Sequence, residues 1–421
     1  MVHQTMNTSN TSAPSASSNN KVMAATAGLG ERVARPARQR WRLACVAAIV
    51  GILAGCALGP QTEAPSTPDA PAAGLPPDTA PLPPALQRAK SRWQPVRWAE
   101  LPGWGPDGLH AVWNAWVRGC ERPVAGHAAL CGELRQLSIA SAAEQQAWVM
   151  RRFQPYRVTE PDGTAPVGLL TGYYEPIMSA SRVATDSHRS PVFAPPAGLL
   201  PGQPWFSRKE IDTLPEARAA LQGKAIAWLA DPIDALLLQI QGSGRLVFER
   251  QGLPPQTVRV AVAATNNLPY RSVNQWLAEQ GAAITPWPAA TKAWVRKNPS
   301  RLNELLWTNP RYVFYKEEPL SDFDAQFGPR GAQGVPLTPG HSIAVDPQSI
   351  PYGTPVWLAT QGPTLNTQRL VMAQDTGGAI VGAVRADLFT GWGGWSDAAF
   401  IEAAALKQPL QLWVLWPRQP A

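Results

Sequence analysis

The sequence predicts a mainly β fold with peripheral helices, and two observations support that class. Short apolar runs recur along the chain, each bounded by Gly, Pro or Asn. Their spacing is irregular and no fixed repeat occurs, which favours barrels or sandwiches over a doubly wound sheet. The predicted strands cover residues 168–174, 226–229, 235–240, 245–248, 257–263, 312–315, 342–345, 355–359, 369–373 and 410–416.

Helical spacing of apolar residues predicts the peripheral helices. Leu109, Val112, Trp113 and Trp116 recur at intervals that predict one or two helices within residues 108–142. The other predicted helices cover residues 143–153, 208–214, 272–279, 290–298 and 397–404.

Residues 1–55 have the pattern of an export signal. Six basic residues and one acid precede thirteen uncharged residues, 43–55. That apolar segment is short for a membrane span, so a cleaved signal is predicted, with a short transmembrane anchor as the alternative. The basic region is long, which makes Met23 an alternative start to Met1. Without residues 1–55 the chain keeps 31 basic and 29 acidic residues, so its charge falls from +7 to +2 and no nucleic-acid partner is expected.

The segment that follows, residues 56–95, is predicted to be a tether. It is rich in Pro and Ala, a composition that cannot bury a core and favours extended conformations.

Two cysteines remain in the globular part, Cys120 and Cys131. In an exported protein this pair predicts a disulfide, with two buried free thiols as the alternative. His127 is the only nearby third ligand and no CxxC or HExxH motif occurs, so no metal site is predicted.

Two aspartates mark the candidate catalytic segment. Asp375 ends the apolar run 369–373, and Asp387 follows twelve positions later, beyond three turn glycines. Acids at strand ends beside Gly turns are candidates for chemistry. The structural alternatives are a turn cap for Asp375 and a surface ion pair with Arg385 for Asp387.

Further segments combine amides, hydroxyls and aromatic rings, as a carbohydrate groove does. They are LTGYYEP at 170–176, QIQGSGR at 239–245, NPRYVFY at 309–315 and GVPLTPG at 334–340. The alternatives are a core position for Tyr173 or Tyr174 and a plain hairpin turn at QGSG. Of the 18 tryptophans, Trp392 and Trp395 are predicted to lie in a Gly-rich turn beside Asp387 and to contact sugar. Four in strand runs are predicted to be core: Trp228, Trp357, Trp413 and Trp416.

In this order the motifs resemble the membrane-bound lytic murein transglycosylase A family over residues 101–417. The resemblance implies a double-psi β-barrel formed by residues 96–177 and 307–417, with a second β-domain inserted at 178–306. The barrel's part from about 335 to 417 resembles a domain named for three aspartates, which fall on Asp346, Asp375 and Asp387. One departure lies at NNLPY, 266–270, where many members have Gly in place of Asn267.

The resemblance also implies an activity. It is cleavage of the β-1,4 bond between N-acetylmuramic acid and N-acetylglucosamine in peptidoglycan, without water, giving a 1,6-anhydro product for wall turnover. Asp387 would be the general acid and base, Asp375 would orient or tune it, and Asp346 would be structural. The predicted substrate-binding residues are Thr171, Tyr173, Gln241, Ser243, Arg385 and Trp392, and no cofactor or metal is implied.

The ending LAGC of the signal resembles a bacterial lipobox. It implies cleavage before Cys56, lipid on Cys56 and, since Ala57 is not Asp, an outer-membrane lipoprotein facing the periplasm. The expected partners are peptidoglycan strands, the outer membrane and other wall-synthesis enzymes. The rival functions are a hydrolase that uses Asp375 and Asp387 as an acid and base pair, and a non-catalytic peptidoglycan-binding lipoprotein.

Overall fold

A computed structural model describes residues 79–418 except 106–107 and 125. The export signal, Cys56 and most of the tether lie outside the described residues. Fifteen strands occur in the described part. They are β1 (Leu86–Gln87), β2 (Arg92–Pro95), β3 (Phe153–Thr159), β4 (Leu169–Ser181), β5 (Ser190–Phe193), β6 (Ala225–Leu229), β7 (Ser243–Arg250), β8 (Leu253–Thr265), β9 (Val313–Glu318), β10 (Ser342–Val345), β11 (Pro355–Gln361), β12 (Asn366–Asp375), β13 (Arg385–Gly393), β14 (Lys407–Pro409) and β15 (Gln411–Pro417).

Ten α-helices lie around these strands in the same described residues. They are α1 (Leu109–Gly119), α2 (Cys131–Gln136), α3 (Ala142–Arg152), α4 (Arg208–Thr213), α5 (Pro215–Leu221), α6 (Pro232–Gln241), α7 (Val273–Glu279), α8 (Ala289–Lys297), α9 (Leu302–Trp307) and α10 (Ala398–Ala405). Within residues 79–418, no helix has the length and apolar character that crossing a membrane requires.

The long strand β4 joins two parts of the sheet. Its first half pairs in parallel with β13 and its second half pairs in parallel with β7. The strand order is β1-β2-β3-β15-β11-β12-β10-β13-β4-β7-β8-β9. The mainly β class with helices is therefore confirmed, whereas the double-psi topology and the domain boundaries stay predictions.

Each of the two parts of the sheet packs against its own apolar clusters. One fills the space between β10 to β13 and β15 with buried Ile, Leu and Val. A second packs α1 and α3 on the outer face through tryptophans, among them Trp357 and Trp413, which are core residues as predicted. A third, between α6, β7 and β8, includes Leu237, Leu246 and Val260.

The predicted strand at 235–240 is wrong, because this run forms the helix α6. The Asp231 side chain accepts a hydrogen bond from Ile233 N at 2.8 Å, and Pro232 occupies the first turn. Gly242 then ends the helix in the left-handed region at φ 84°. A short apolar run fits a buried strand or a buried helix equally well, and here the caps decide.

The segment around GWG is also a strand and not a turn. Residues Arg385–Gly393 form β13, in which Ala386 and Leu388 are buried. The glycines 391 and 393 suggested a turn, but pairing with β4 on one side and β10 on the other holds the segment extended.

The predicted disulfide is present in the structure. Cys120 follows α1 and Cys131 begins α2, with their Cα atoms 5.8 Å apart and the sulfurs bonded. It links the two helices beside the tryptophan cluster.

Candidate active site

The register of the central strands brings the two candidate aspartates together. Strand β10 lies between β12 and β13, and Ala344 pairs with Asp375 on one side and Asp387 on the other. Neighbouring strands lie ~4.8 Å apart, so the two backbones are about 10 Å apart. Because both residues align with Ala344, they share one face of the sheet.

Asp387 is held by a chain of donors from β4 and β13. Thr171, its partner in the parallel register, donates from Oγ1 to Asp387 Oδ1 at 2.5 Å. Arg385 Nη2 lies 2.9 Å from the same hydroxyl. Since a guanidinium only donates, the Thr171 hydroxyl accepts from Arg385 and its single hydrogen goes to Asp387. Oδ1 accepts this hydrogen bond, whereas Oδ2 accepts none from the described residues, so Oδ2 is the oxygen that we assign to the acidic proton.

Burial raises the pKa of the half-buried Asp387 to about 6. The Thr171 hydrogen bond and the nearby Arg385 charge oppose this rise, while the Asp375 charge adds to it. A carboxyl with this pKa holds its proton for part of the time near neutral pH, as a general acid must. The alternative, a surface ion pair, does not form. Asp387 is half-buried, and Arg385 donates to Thr171 and to backbone oxygens, among them Ala386 O.

Asp375 is held as an acceptor. Tyr173 Oη donates to Oδ2 at 2.8 Å and Ala332 N donates to Oδ1 at 2.9 Å. Burial raises the pKa of Asp375, and burial together with this carboxylate raises the pKa of Tyr173 well above its usual range. A Cβ on Gly331 would lie 2.4 Å from Gln374 O, so only glycine lets the loop bring Ala332 to the carboxylate.

A cavity of about 300 Å³ lies beside Thr171. Its floor depends on Gly172, because a Cβ there would lie 2.8 Å from Ala403 Cα and push α10 away from β4. Aromatic rings and amides line the remainder: Tyr174, Gln241, Tyr270, Asn274, Trp287 and Phe400. Asn274 Oδ1 is buried with no hydrogen-bond partner among the described residues, so it remains open to a donor from a ligand.

Two of the six predicted substrate-binding residues line this cavity. Thr171 and Gln241 line this cavity, and Gln241 Oε1 also accepts from Tyr174 N at 3.0 Å. Ser243 does not line it, because β7 begins there and buries the side chain against β8. Trp392 is half-buried, and the Arg245 guanidinium lies 4.3 Å from the centre of its ring and covers one face of it.

Asp346 has the contacts of a structural residue. It is buried and accepts from Gln348 N at 3.0 Å and Gly382 N at 2.9 Å. It also forms an ion pair with Lys90 at 3.2 Å. These contacts fix the loop between β12 and β13, as the predicted structural role requires.

The departure at NNLPY has a local explanation. Asn267 has φ 54°, the left-handed region that glycine would occupy and that Asn tolerates better than most residues. Its side chain donates to Gln203 O at 2.8 Å. Tyr270 of the same segment lines the cavity, so the change at Asn267 does not remove the segment from the site.

Comparisons with known proteins show which chains this protein is similar to. Residues 169–316 match a family model described as the MltA specific insert domain, and residues 341–416 match the 3D domain. The solved lytic transglycosylase LtgG of Burkholderia pseudomallei is 41% identical, covers 81% of this chain and 99% of its own, and has a TM-score of 0.52. MltA from Neisseria gonorrhoeae is 27% identical over 81% of this chain and 97% of its own, with a TM-score of 0.66.

The chain belongs to the membrane-bound lytic murein transglycosylase A family. The enzyme of that name from Vibrio cholerae is 30% identical over 262 residues. That alignment covers 59% of this chain and 65% of the relative, so the match spans just under two thirds of the curated relative's length.

Several cavity residues of this family member were missed by sequence reasoning. Asn274, Trp287 and Phe400 come from α7, the loop before α8 and α10, where no motif marks them. Trp287 and Phe400 carried no signal beyond aromatic composition. Tyr270 could have been found, since it ends the NNLPY segment.

Thr171→Val is expected to extend activity to higher pH. Removing the hydroxyl removes a hydrogen bond that lowers the pKa of Asp387, so that pKa rises above about 6. If catalysis requires the protonated carboxyl, the alkaline limb of the kcat/KM profile shifts to higher pH as this pKa rises. The pH profile of kcat/KM checks this. Thr390→Val is the matched control, because its hydroxyl bonds Ala399 O and Tyr173 O and touches neither aspartate. A limb that stays in place, or moves down, contradicts the assignment.

Proposed function

We propose that this chain is a lytic transglycosylase that cleaves the β-1,4 bond between N-acetylmuramic acid and N-acetylglucosamine in peptidoglycan. The observation that carries the proposal is Asp387, a half-buried carboxyl with a pKa of about 6 and one oxygen left free by Thr171. Membership of the family supports the same activity.

In the proposed mechanism one carboxyl acts twice. Asp387 Oδ2 donates its proton to the glycosidic oxygen as the bond from that oxygen to the muramoyl C1 breaks. The resulting carboxylate then takes the proton of the C6 hydroxyl while O6 forms a bond to C1. The product is a 1,6-anhydro sugar, the proton returns to Asp387, and no water is consumed. A hydrolase would instead need a second carboxylate as base or nucleophile.

Asp375 supports the reaction without transferring a proton. Tyr173 and Ala332 fix it as an acceptor beside the site. Its negative charge raises the pKa of Asp387 and favours the positive charge that develops on the sugar ring in the transition state. Asp375 is therefore a positioning and electrostatic residue.

The cavity beside Thr171 is suited to a sugar ring with an acetamido group. Tyr270, Trp287 and Phe400 provide flat apolar faces, and Gln241 and Asn274 provide amides for hydroxyl and amide groups. We assign these residues to glycan binding. The predicted sugar contacts of Tyr173, Ser243, Arg385 and Trp392 stay predictions.

We also propose that the protein is an outer-membrane lipoprotein facing the periplasm, anchored through lipid on Cys56. The support is the basic segment, the short apolar run and LAGC at 53–56. Membrane fractionation tests it: Cys56→Ser should leave the membrane fraction, and retention there would contradict lipid anchoring.

Mass spectrometry of the products tests the activity. Purified peptidoglycan treated with the wild-type protein should release muropeptides that are each lighter by one water than hydrolysed ones. Products with free reducing ends would support the two-carboxylate hydrolase. Pelleting with peptidoglycan but no product would support a binding lipoprotein.

A further inference from the structure

A second cavity, of about 670 Å³, lies among α4, α5, α6, α9 and β5. It shares no lining residue with the cavity beside Thr171. Its walls combine apolar side chains, such as Phe193 and Leu306, with three arginines: Arg189, Arg208 and Arg218.

Arg208 is the unusual member of this lining, because its guanidinium is buried. It is only 5% exposed. Nε donates to Asn309 O at 3.2 Å, and Nη2 donates to Gln239 Oε1 at 2.5 Å and to Arg311 O at 3.0 Å. Within the described residues, Nη1 has no acceptor and no carboxylate lies within 4.0 Å of the guanidinium.

Burial lowers the pKa of Arg208, while Tyr312 and the neighbouring Asp212 carboxylate act in the opposite direction. Because Asp212 makes no ion pair with the guanidinium, an anion in the cavity would further offset the cost of burying this charge. The other charged lining residues are Arg189, Arg218 and Asp212, and Arg189 is paired with Asp186 at 2.9 Å. Arg218 lines the cavity and donates to Asp212 O, while the Asp212 carboxylate already accepts from Trp307 Nε1 at 2.7 Å. Among the described residues, the cavity therefore presents one guanidinium nitrogen without a protein acceptor, Arg208 Nη1, in a wall that is partly apolar.

We propose that this cavity binds the free C-terminal carboxylate of a short peptide with small aliphatic side chains, with Arg208 Nη1 as the donor. A carboxylate fits better than a phosphate, because one buried guanidinium with one free nitrogen matches a single charge. The apolar residues Phe193, Ile211 and Leu306 suit methyl side chains. Naming the peptide as the stem of peptidoglycan depends on the proposed function.

The last turn of α6 lies between this cavity and the cavity beside Thr171. Gln239 lines the arginine cavity and Gln241 lines the cavity beside Thr171. Residues two apart on a helix point to different sides, and a helix with its side chains is about 10–12 Å across. An extended tetrapeptide spans up to ~14 Å. This length exceeds the diameter of the helix between the two cavities, as the proposal requires of a peptide attached to a sugar in the first cavity.

Peptide binding to the full-length protein in detergent tests the proposal. The probes are alanyl-alanine in the D configuration, its C-terminal amide and inorganic phosphate, titrated by calorimetry with NMR for weak binding. We expect saturable binding of the dipeptide, at least tenfold weaker binding of the amide, and no competition by phosphate at equal concentration. Equal affinity for the amide, or displacement by phosphate, would overturn the assignment.

A pair of variants at an exposed lining position provides the second test, since substituting Arg208 itself could disturb folding. Ala219 lies on α5 at the cavity and is exposed. Ala219→Glu adds a negative charge and Ala219→Gln adds the same bulk without charge. We expect the dipeptide to bind at least fivefold more weakly to the Glu variant than to the Gln variant, and equal binding would contradict the proposal. These titrations require no catalysis, so their outcome is independent of the product analysis that tests the proposed activity.

Discussion

Asp387→Asn is expected to lower kcat on peptidoglycan by about 10³-fold or more, because one group provides both the acid and the base. An amide at this position cannot donate a proton to the leaving oxygen or accept one from the C6 hydroxyl. The hydrogen bond from Thr171 can still form to the amide oxygen, so the site keeps its shape. Release of anhydro-muropeptides, followed over time, measures the loss.

Two matched variants separate this account from its rival. Asp397→Asn makes the same change at a nearby exposed residue whose carboxylate only accepts from Gly394 N at 2.8 Å, so its rate should equal that of the wild type. Asp375→Asn should lose clearly less than Asp387→Asn. An equal loss for both aspartates would favour the two-carboxylate hydrolase.

Asp387→Asn should stay folded, and its free energy of unfolding should differ from that of the wild type in how it depends on pH. The folded pKa of Asp387, about 6, lies above its ordinary value of 3.8, so the native state binds more protons between these pH values. This contribution to stability is complete below pH 4 and is lost as pH rises through 6. In Asp387→Asn that decline should be absent, which urea unfolding across this range can show.

Glu175→Gln is expected to cost about 3–5 kcal/mol of the free energy of unfolding, because it leaves two buried arginines without their counterion. Glu175 is fully buried and accepts from Arg245 Nε at 2.8 Å and Arg259 Nε at 2.6 Å. The same arginines donate to Phe327 O, so the group joins β4, β7 and β8 to the segment after β9. Urea unfolding measures the change.

An exposed ion pair provides the control. Glu317 pairs with Arg182 at the surface, and Glu317→Gln should cost less than about 1 kcal/mol. Similar losses for the two variants would mean that the buried group stabilises no more than a surface pair. Glu175 belongs to the LTGYYEP motif, but its burial makes it a structural residue of that motif and not a sugar ligand.

Much of the fold could be predicted because its signals are local. Runs of β-branched residues marked β10, β11 and β12, and turn glycines separated the strands. The prediction of a strand at 235–240 was wrong because a continuous apolar run shows neither strand nor helix periodicity. The helix caps at Asp231 and Gly242 favour the helix. Composition alone could not distinguish a buried strand from a buried helix in this run.

The site was harder to predict because it depends on register between distant segments. Asp375 and Asp387 were found from their motif, but their shared partner Ala344 is set by pairing of β10 with both neighbours. Thr171 lies 216 residues from Asp387, and no local pattern shows which residue of β4 aligns with it. The buried Arg208 had no sequence signal, since a basic residue at the start of a helix normally faces solvent.

The most direct test of the central claim, that a single carboxyl cleaves the glycan without water, is digestion of peptidoglycan in ¹⁸O-labelled water. The account predicts anhydro-muropeptides from the wild-type protein with no label at the new end of the glycan. One labelled oxygen in each new reducing end would contradict it, because water and not the C6 hydroxyl would then be the nucleophile.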